Sequence, residues 1–160
     1  MRETVTYLEM TSPDDLVPAT PRPLTLTPAT PGTHRALNLR IGTPYRWGTV
    51  TFSEPQWAAY LHDPDAHAYV ITSGAENAGL ARYALAFSEV EVTTFGLVPE
   101  FVGRGLGAYA LTLTLQKAWS FSPRRVWLHT STLDHPNALP NYRARGLRPF
   151  RTETRQRDAL

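Results

Sequence analysis

Between a run of sheet formers and a run of helix formers lies Phe101-Val102-Gly103-Arg104-Gly105-Leu106-Gly107-Ala108, with glycine at three alternate positions. Glycine takes positive φ at no steric cost and lets a ligand approach the main chain. Glycines so spaced at a helix start therefore leave several amide N–H groups pointing outward. Aligned with the helix dipole, those donors make an anion site suited to phosphate, and Arg104 adds charge beside them. A tight strand-to-helix turn with no ligand would use the same residues. Two familiar nucleotide signatures fail here. Gly105-x-Gly107-x-x-Ala110 has dinucleotide spacing, but that fingerprint wants an acidic residue about 20 positions on. The segment there reads Arg124-Arg125-Val126-Trp127-Leu128-His129, with no acid. A mononucleotide P-loop would end in Gly-Lys-Ser/Thr, which is also missing. The turn lies too late in the chain to leave room for a Rossmann domain.

The 160 residues are the size of one domain, residues 1–160, and 42% hydrophobic content suffices for a core. With no cysteine, thiolate nucleophiles, disulfides, iron–sulfur clusters and thiolate zinc sites are excluded. His34, His62, His67, His129 and His135 form no recognisable metal-ligand spacing, so no metal is expected. Met1 to Met10 lacks the apolar core of a signal peptide, and no apolar run approaches the ~20 residues of a membrane span. A soluble, cytoplasmic protein is expected. The net charge is +2, with Arg143, Arg145, Arg148, Arg151, Arg155 and Arg157 concentrated at the end. Such a cluster is either a nucleic-acid footprint or a solvated basic tail, and the second is favoured.

The elements that must position the turn follow from periodicity. Thr4–Met10 alternates as a first strand. Six prolines between residues 11 and 31 make that stretch an extended loop or arm. Thr33 or Pro31 opens a helix to about Ile41, and a loop carrying Arg46 and Trp47 follows. Ser53 as N-cap and Pro55 in the first turn start a second helix to His62. Three strands come next, over residues 66–74, 79–87 and 89–98. In the last, Val90, Val92 and Thr94 should face one way and Glu89, Glu91 and Thr93 the other. A helix from Gly107 to about Trp119 bears two apolar stripes, Leu106/Ala110/Leu113 and Leu111/Leu115/Trp119. It should be covered on two sides, which leaves room for a homodimer. A strand over 124–132, a short helix over Leu139–Arg145 and a closing strand from Leu147 to about Thr152 complete the chain. The order β-α-α-β-β-β-α-β-α-β implies an α/β (α+β) fold with a mixed sheet flanked by helices.

The segment from Phe95 to Leu111, strand, Val98-Pro99-Glu100, glycine turn and amphipathic helix, resembles the acyl-CoA-binding segment of the GNAT N-acetyltransferase superfamily. Gly105 and Gly107 match the family's glycines, and Val102 replaces its usual Gln or Arg. Downstream, Asn137-Ala138-Leu139-Pro140-Asn141-Tyr142-Arg143-Ala144-Arg145-Gly146-Leu147 resembles the second family motif, with tyrosine four residues before glycine. Pro140 is tolerable there if Asn137 caps the helix, since Pro140 then falls in the first turn. The likeness is good over 79–151 and weak before it. It implies the GNAT acyltransferase fold, with a mostly antiparallel central sheet.

The resemblance also implies chemistry. Acetyl-CoA would be the cosubstrate and an amine of unknown identity the acceptor, attacking directly in a ternary complex because no cysteine can carry the acetyl group. Main chain at Leu97 and Val98 would hold the pantetheine and polarise the thioester carbonyl. Amides of Gly103, Arg104, Gly105, Leu106, Gly107 and Ala108 would take the pyrophosphate, and Asn137 is a further coenzyme contact. Tyr142 has the position of a general acid toward the departing thiolate. The strand before the turn often supplies a base, so Glu91, with Glu89 second, is the candidate. Arg46, Trp47 and Trp57 could shape an acceptor pocket or simply pack, and His135 is a secondary site candidate. A non-catalytic acyl-CoA-binding module, or a nucleic-acid binder using the basic end, would account for parts of the same pattern.

Overall fold

The computed structural model describes residues 1–157. Its strands are β1 (Arg2–Met10), β2 (Thr25–Pro28), β3 (Ala66–Ser73), β4 (Glu76–Ala86), β5 (Glu89–Leu97), β6 (Arg125–Ser131) and β7 (Arg148–Gln156). The helices are α1 (Pro31–Gly42), α2 (Glu54–Leu61), α3 (Gly107–Ser120) and α4 (Ala138–Ala144). The strands form one sheet in the order β2-β3-β4-β5-β6-β1-β7, antiparallel throughout except between β5 and β6. Local chemistry sets the helix starts. Thr30 caps α1 through Thr33 N–H with Pro31 in the first turn, and Ser53 forms a capping box with Gln56 at α2.

Two apolar clusters hold the layers together. Leu8, Met10, Tyr83, Val90, Val92, Val126 and Leu128 of the sheet pack with Leu111 and Leu115 of α3 and Tyr142 of α4. A second cluster joins Leu37 and Ile41 of α1 to Ile71, Leu80, Phe101, Leu106 and Ala110. α1 packs on β3, β4 and β5 and against α2, and α3 packs on β2, β5 and β6 and against α4.

The proline-rich arm departs from the expected plain loop in two ways. Residues 25–28 form an edge strand on β3, with Pro28 at the strand end, where its missing N–H breaks no central ladder. Upstream, Ala19 N–H donates to Thr112 on α3 and Val17 N–H donates to the Arg145 carbonyl, while Leu16 and Leu24 enter the two clusters. The arm therefore lies along α3 and supplies a cover on its second side, which removes the reason the two stripes gave for a homodimer.

β5 also differs from simple alternation. Arg82 stands opposite Thr94 and Tyr83 opposite Val92, so Thr93 is an extra, bulged residue. Beyond it the faces exchange: Val90 and Val92 point into the α3 core, whereas the Thr94 hydroxyl meets Tyr60 of α2 at 3.1 Å. The closing strand runs to Gln156 rather than about Thr152, because β1 starts at Arg2 and offers it a partner along its length.

Candidate active site

The one parallel junction in the sheet is short. β5 and β6 pair only through Glu89–Arg125, Val90–Val126 and Glu91–Trp127, although β5 continues to Leu97 and β6 to Ser131. Beyond Glu91 the two strands separate. The bulge at Thr93 bends β5 at this point, and β6 stays with β1. A cavity of about 630 Å³ opens in the gap, lined by β5 from Val92 to Leu97, by His129 and Ser131, and by the glycine turn, α4 and the loops after α1.

At one end is the turn. Gly103 and Gly105 have φ of +79° and +74°, values that favour glycine, and Leu106 stands at the N-cap of α3 with no side chain capping the helix. Among the described residues, no amide from Gly103 to Tyr109 donates to a protein acceptor; the first to do so is Ala110, to Leu106. The turn thus presents a row of unpaired donors at the positive end of a helix of 14 residues. Gly103, Gly105, Leu106, Gly107 and Ala108 line the cavity. Arg104 lies over the Phe101 ring at 4.6 Å instead, with its head exposed. The sequence missed two residues here. A Cβ on Gly105 would lie 3.6 Å from the Arg22 guanidinium, which the arm delivers beside the turn. Asn141 donates to the Gly107 carbonyl at 3.1 Å, tying α4 to the start of α3.

In the middle, Tyr142 is 7% exposed, packs edge-on against Phe95 and lines the cavity. Its hydroxyl makes no hydrogen bond to the described residues, unlike that of the fully buried Tyr83, which donates to the Thr114 carbonyl. Burial, with the Asp134 charge nearby, pushes the Tyr142 hydroxyl well above its ordinary pKa, so it holds its proton at neutral pH. Leu97 lines the cavity. Val98 does not: its N–H donates to Ala78 and its carbonyl accepts from Phe101, so both main-chain groups are already occupied. Asn137 lines the cavity at the N-cap position of α4, yet its side chain caps nothing, and Pro140 sits in the first turn as required.

At the far end the walls are Tyr45, Trp47, Thr49, Phe52, Tyr60 and the polar group Glu3, Ser131, Arg155, Arg157. Trp47 Nε1 donates to Asp134 at 3.2 Å, joining the loop after α1 to the loop before α4. Burial works against a charge on Glu3, but hydrogen bonds from Ser131 and Arg155 and the charges of Arg155 and Arg157 outweigh it and hold the carboxyl below the usual range. Trp57 is not in the cavity; it is 2% exposed and packs with Phe52 and Tyr60. Arg46 points to Met1 Sδ, and His135 lines the cavity against Tyr45.

The carboxylates of β5 lie lower than expected. Glu89 is bound by Arg124 and Arg125, and Glu91 sits where β5 and β6 are still paired, so neither lines the cavity. Between Glu91 and the cavity stands His129, its Nδ1 3.6 Å from Glu91 and its ring tilted against Tyr7 at 5.4 Å. The sequence signal for it was strand alternation, which puts Trp127, His129 and Ser131 on one face of β6. The C-terminal arginines are mostly committed: Arg148 pairs with Asp15, Arg151 with Glu153, and Arg155 and Arg157 with Glu3. Among the described residues no helix is long and apolar enough to cross a membrane, and no three His, Asp or Glu residues are grouped to hold a metal.

Comparison with known proteins adds to this geometry. Residues 34–147, most of the chain, match the acetyltransferase (GNAT) family. Among solved structures, a GCN5-related N-acetyltransferase from Kribbella flavida superposes with a TM-score of 0.67 at 23% identity, over 94% of this chain and 56% of that one. One from Sphaerobacter thermophilus gives 0.69 at 17% identity, over 94% and 49%. An acetyltransferase of the GNAT family from Novosphingobium aromaticivorans gives 0.62 at 19%, over 96% and 63%. The chain spans about half to two-thirds of the length of these structures, and at such identities they share its fold. No curated protein matches in sequence. With the family matched across both the glycine turn and the Tyr142 segment, the chain belongs to the GNAT acetyltransferase family.

Proposed function

We propose that the chain transfers acetyl from acetyl-CoA to a primary amine, of a small molecule or a protein, by direct attack in a ternary complex. One observation carries this: a single cavity runs from the unpaired amides of the glycine turn, past the free Tyr142 hydroxyl, to an aromatic and polar pocket. The turn suits a pyrophosphate, with Arg22 and Arg104 adding charge at the surface, and the unpaired upper edge of β5 near Leu97 suits a pantetheine laid beside it as an extra strand. The residues present therefore fit acetyl-CoA, which as cosubstrate supplies the thioester.

The far pocket would receive the amine. An alkylammonium has a pKa of about 10 and must lose a proton before its nitrogen can attack. In this reading His129, which lines the cavity with Glu91 behind it, takes that proton, and Glu91 acts as the positioning partner rather than the direct base. As the new C–N bond forms and the C–S bond breaks, the Tyr142 proton passes to the departing sulfur, and the proton shed by the acylated nitrogen restores the tyrosine. The committed arginines of β7 give a nucleic-acid reading little to work with.

The test is release of free thiol from acetyl-CoA across a panel of amines. Turnover with at least one amine is expected, and Tyr142→Phe should lower kcat by about 100-fold or more with acetyl-CoA affinity kept. Acetyl-CoA binding with no thiol release and an inert Tyr142→Phe substitution would make the chain a binding module instead.

A further inference from the structure

A second cavity, of about 240 Å³, lies behind the acceptor end of the first, between the start of α1, the end of α2 and strands β3 and β4. Its chemistry is one-sided. Arg82, His34 and His67 line it, and no Asp or Glu does. Arg82 is 5% exposed and His34 4% exposed. A guanidinium cannot shed its charge, and a charge taken out of water is normally paired. Among the described residues Arg82 has no carboxylate partner. Its terminal nitrogens donate to Thr93 Oγ1 and the Tyr60 carbonyl, both at 3.1 Å, and the Tyr60 ring covers its carbon at 3.7 Å. These neutral contacts leave Arg82 Nε and His34 Nε2 buried and without partners.

The same cavity receives Ala29 and Pro31, so the positive end of α1 borders it as well. We propose that this cavity is a binding site for a small monocarboxylate, held by Arg82 with His34 beside it. A guanidinium can give a carboxylate two parallel N–H bonds, and Arg82 has Nε–H and one further hydrogen on each terminal nitrogen beyond those bound to Thr93 and Tyr60. His34 can add a third donor through Nε2. The cavity's volume of about 240 Å³ limits the ligand to a short carbon body. Tyr60 lines both cavities, its hydroxyl bonded to Thr94 on the acceptor side. The site is nonetheless independent of the proposed transfer reaction, since none of its ligands is a reacting group.

Sodium acetate is the probe, titrated at pH 7 with ionic strength held constant by sodium chloride. Two readouts are followed: the thermal unfolding midpoint and the His34 imidazole resonances. The unmodified protein should show a saturable rise of the midpoint and a saturable shift of those resonances, and Arg82→Gln should show neither. Magnetisation transfer from the acetate methyl to the His34 ring protons, measured on the unmodified chain, decides the case if Arg82→Gln does not fold. No saturable response, an equal response in folded Arg82→Gln, an equal response to chloride, or no transfer to His34 would overturn the assignment.

Discussion

His34 provides a quantitative check on the packing under α1. Burial, with the positive Arg82 nearby, pushes its imidazolium from the ordinary 6.5 down to about 4. The sign follows from proton binding. The unfolded chain takes up this proton at higher pH than the folded chain, so protonation favours unfolding. Stability is fully present above about 6.5 and is lost as pH falls toward 4. At about 1.4 kcal/mol per unit, the complete shift corresponds to about 3 kcal/mol, of which about 2 kcal/mol is gone by pH 5. The carboxyls of Glu3, Asp15, Glu54 and Glu100 are held below their ordinary values of 4.5 for Glu and 3.8 for Asp, so their contributions are lost chiefly below pH 5. Urea unfolding at pH 7 and pH 5, in buffers free of small carboxylates, measures the difference. His34→Gln should remove about 2 kcal/mol of the pH dependence whatever its effect on stability at pH 7. An unchanged pH dependence would refute both the burial of His34 and its neutrality.

Two further outcomes follow from the geometry. Gly146 has a φ of +105°, and a Cβ there would lie 1.9 Å from the Asp15 carbonyl oxygen of the arm. Gly146→Ala should therefore cost at least about 2 kcal/mol, seen as a lowered urea midpoint, and an unchanged midpoint would contradict the seating of the arm against the end of α4. His129→Gln should reduce kcat for the best amine by about 100-fold, with Glu91→Gln causing a smaller loss. A larger loss in Glu91→Gln would return the base to Glu91 itself.

Much of this architecture could be read in the sequence where local chemistry decides it. Ser53-x-Pro55-Gln56 specifies a helix start by itself, and three glycines before an apolar helix specify a turn with unpaired amides. Tyr142 was legible for a different reason, its spacing to Gly146 within a segment resembling a known family. What escaped was set by partners distant in the chain. Residues 25–28 become a strand only because β3 offers an edge, and the bulge at Thr93 is visible only once β4 is laid beside β5. The depth of Glu91 depends on where β6 stops pairing, and no local pattern encodes that. Arg82 in the otherwise apolar Gly79–Phe87 segment was the one local sign of the second cavity.

The most direct test of the central claim compares calorimetric binding of acetyl-CoA with that of S-acetylpantetheine, which keeps the thioester and pantetheine but lacks the pyrophosphate and nucleotide. If the amides from Gly103 to Ala108 cradle the pyrophosphate, acetyl-CoA binds with one site per chain and S-acetylpantetheine far more weakly. No binding of acetyl-CoA at high protein concentration, or equal affinity for the two, would contradict the account.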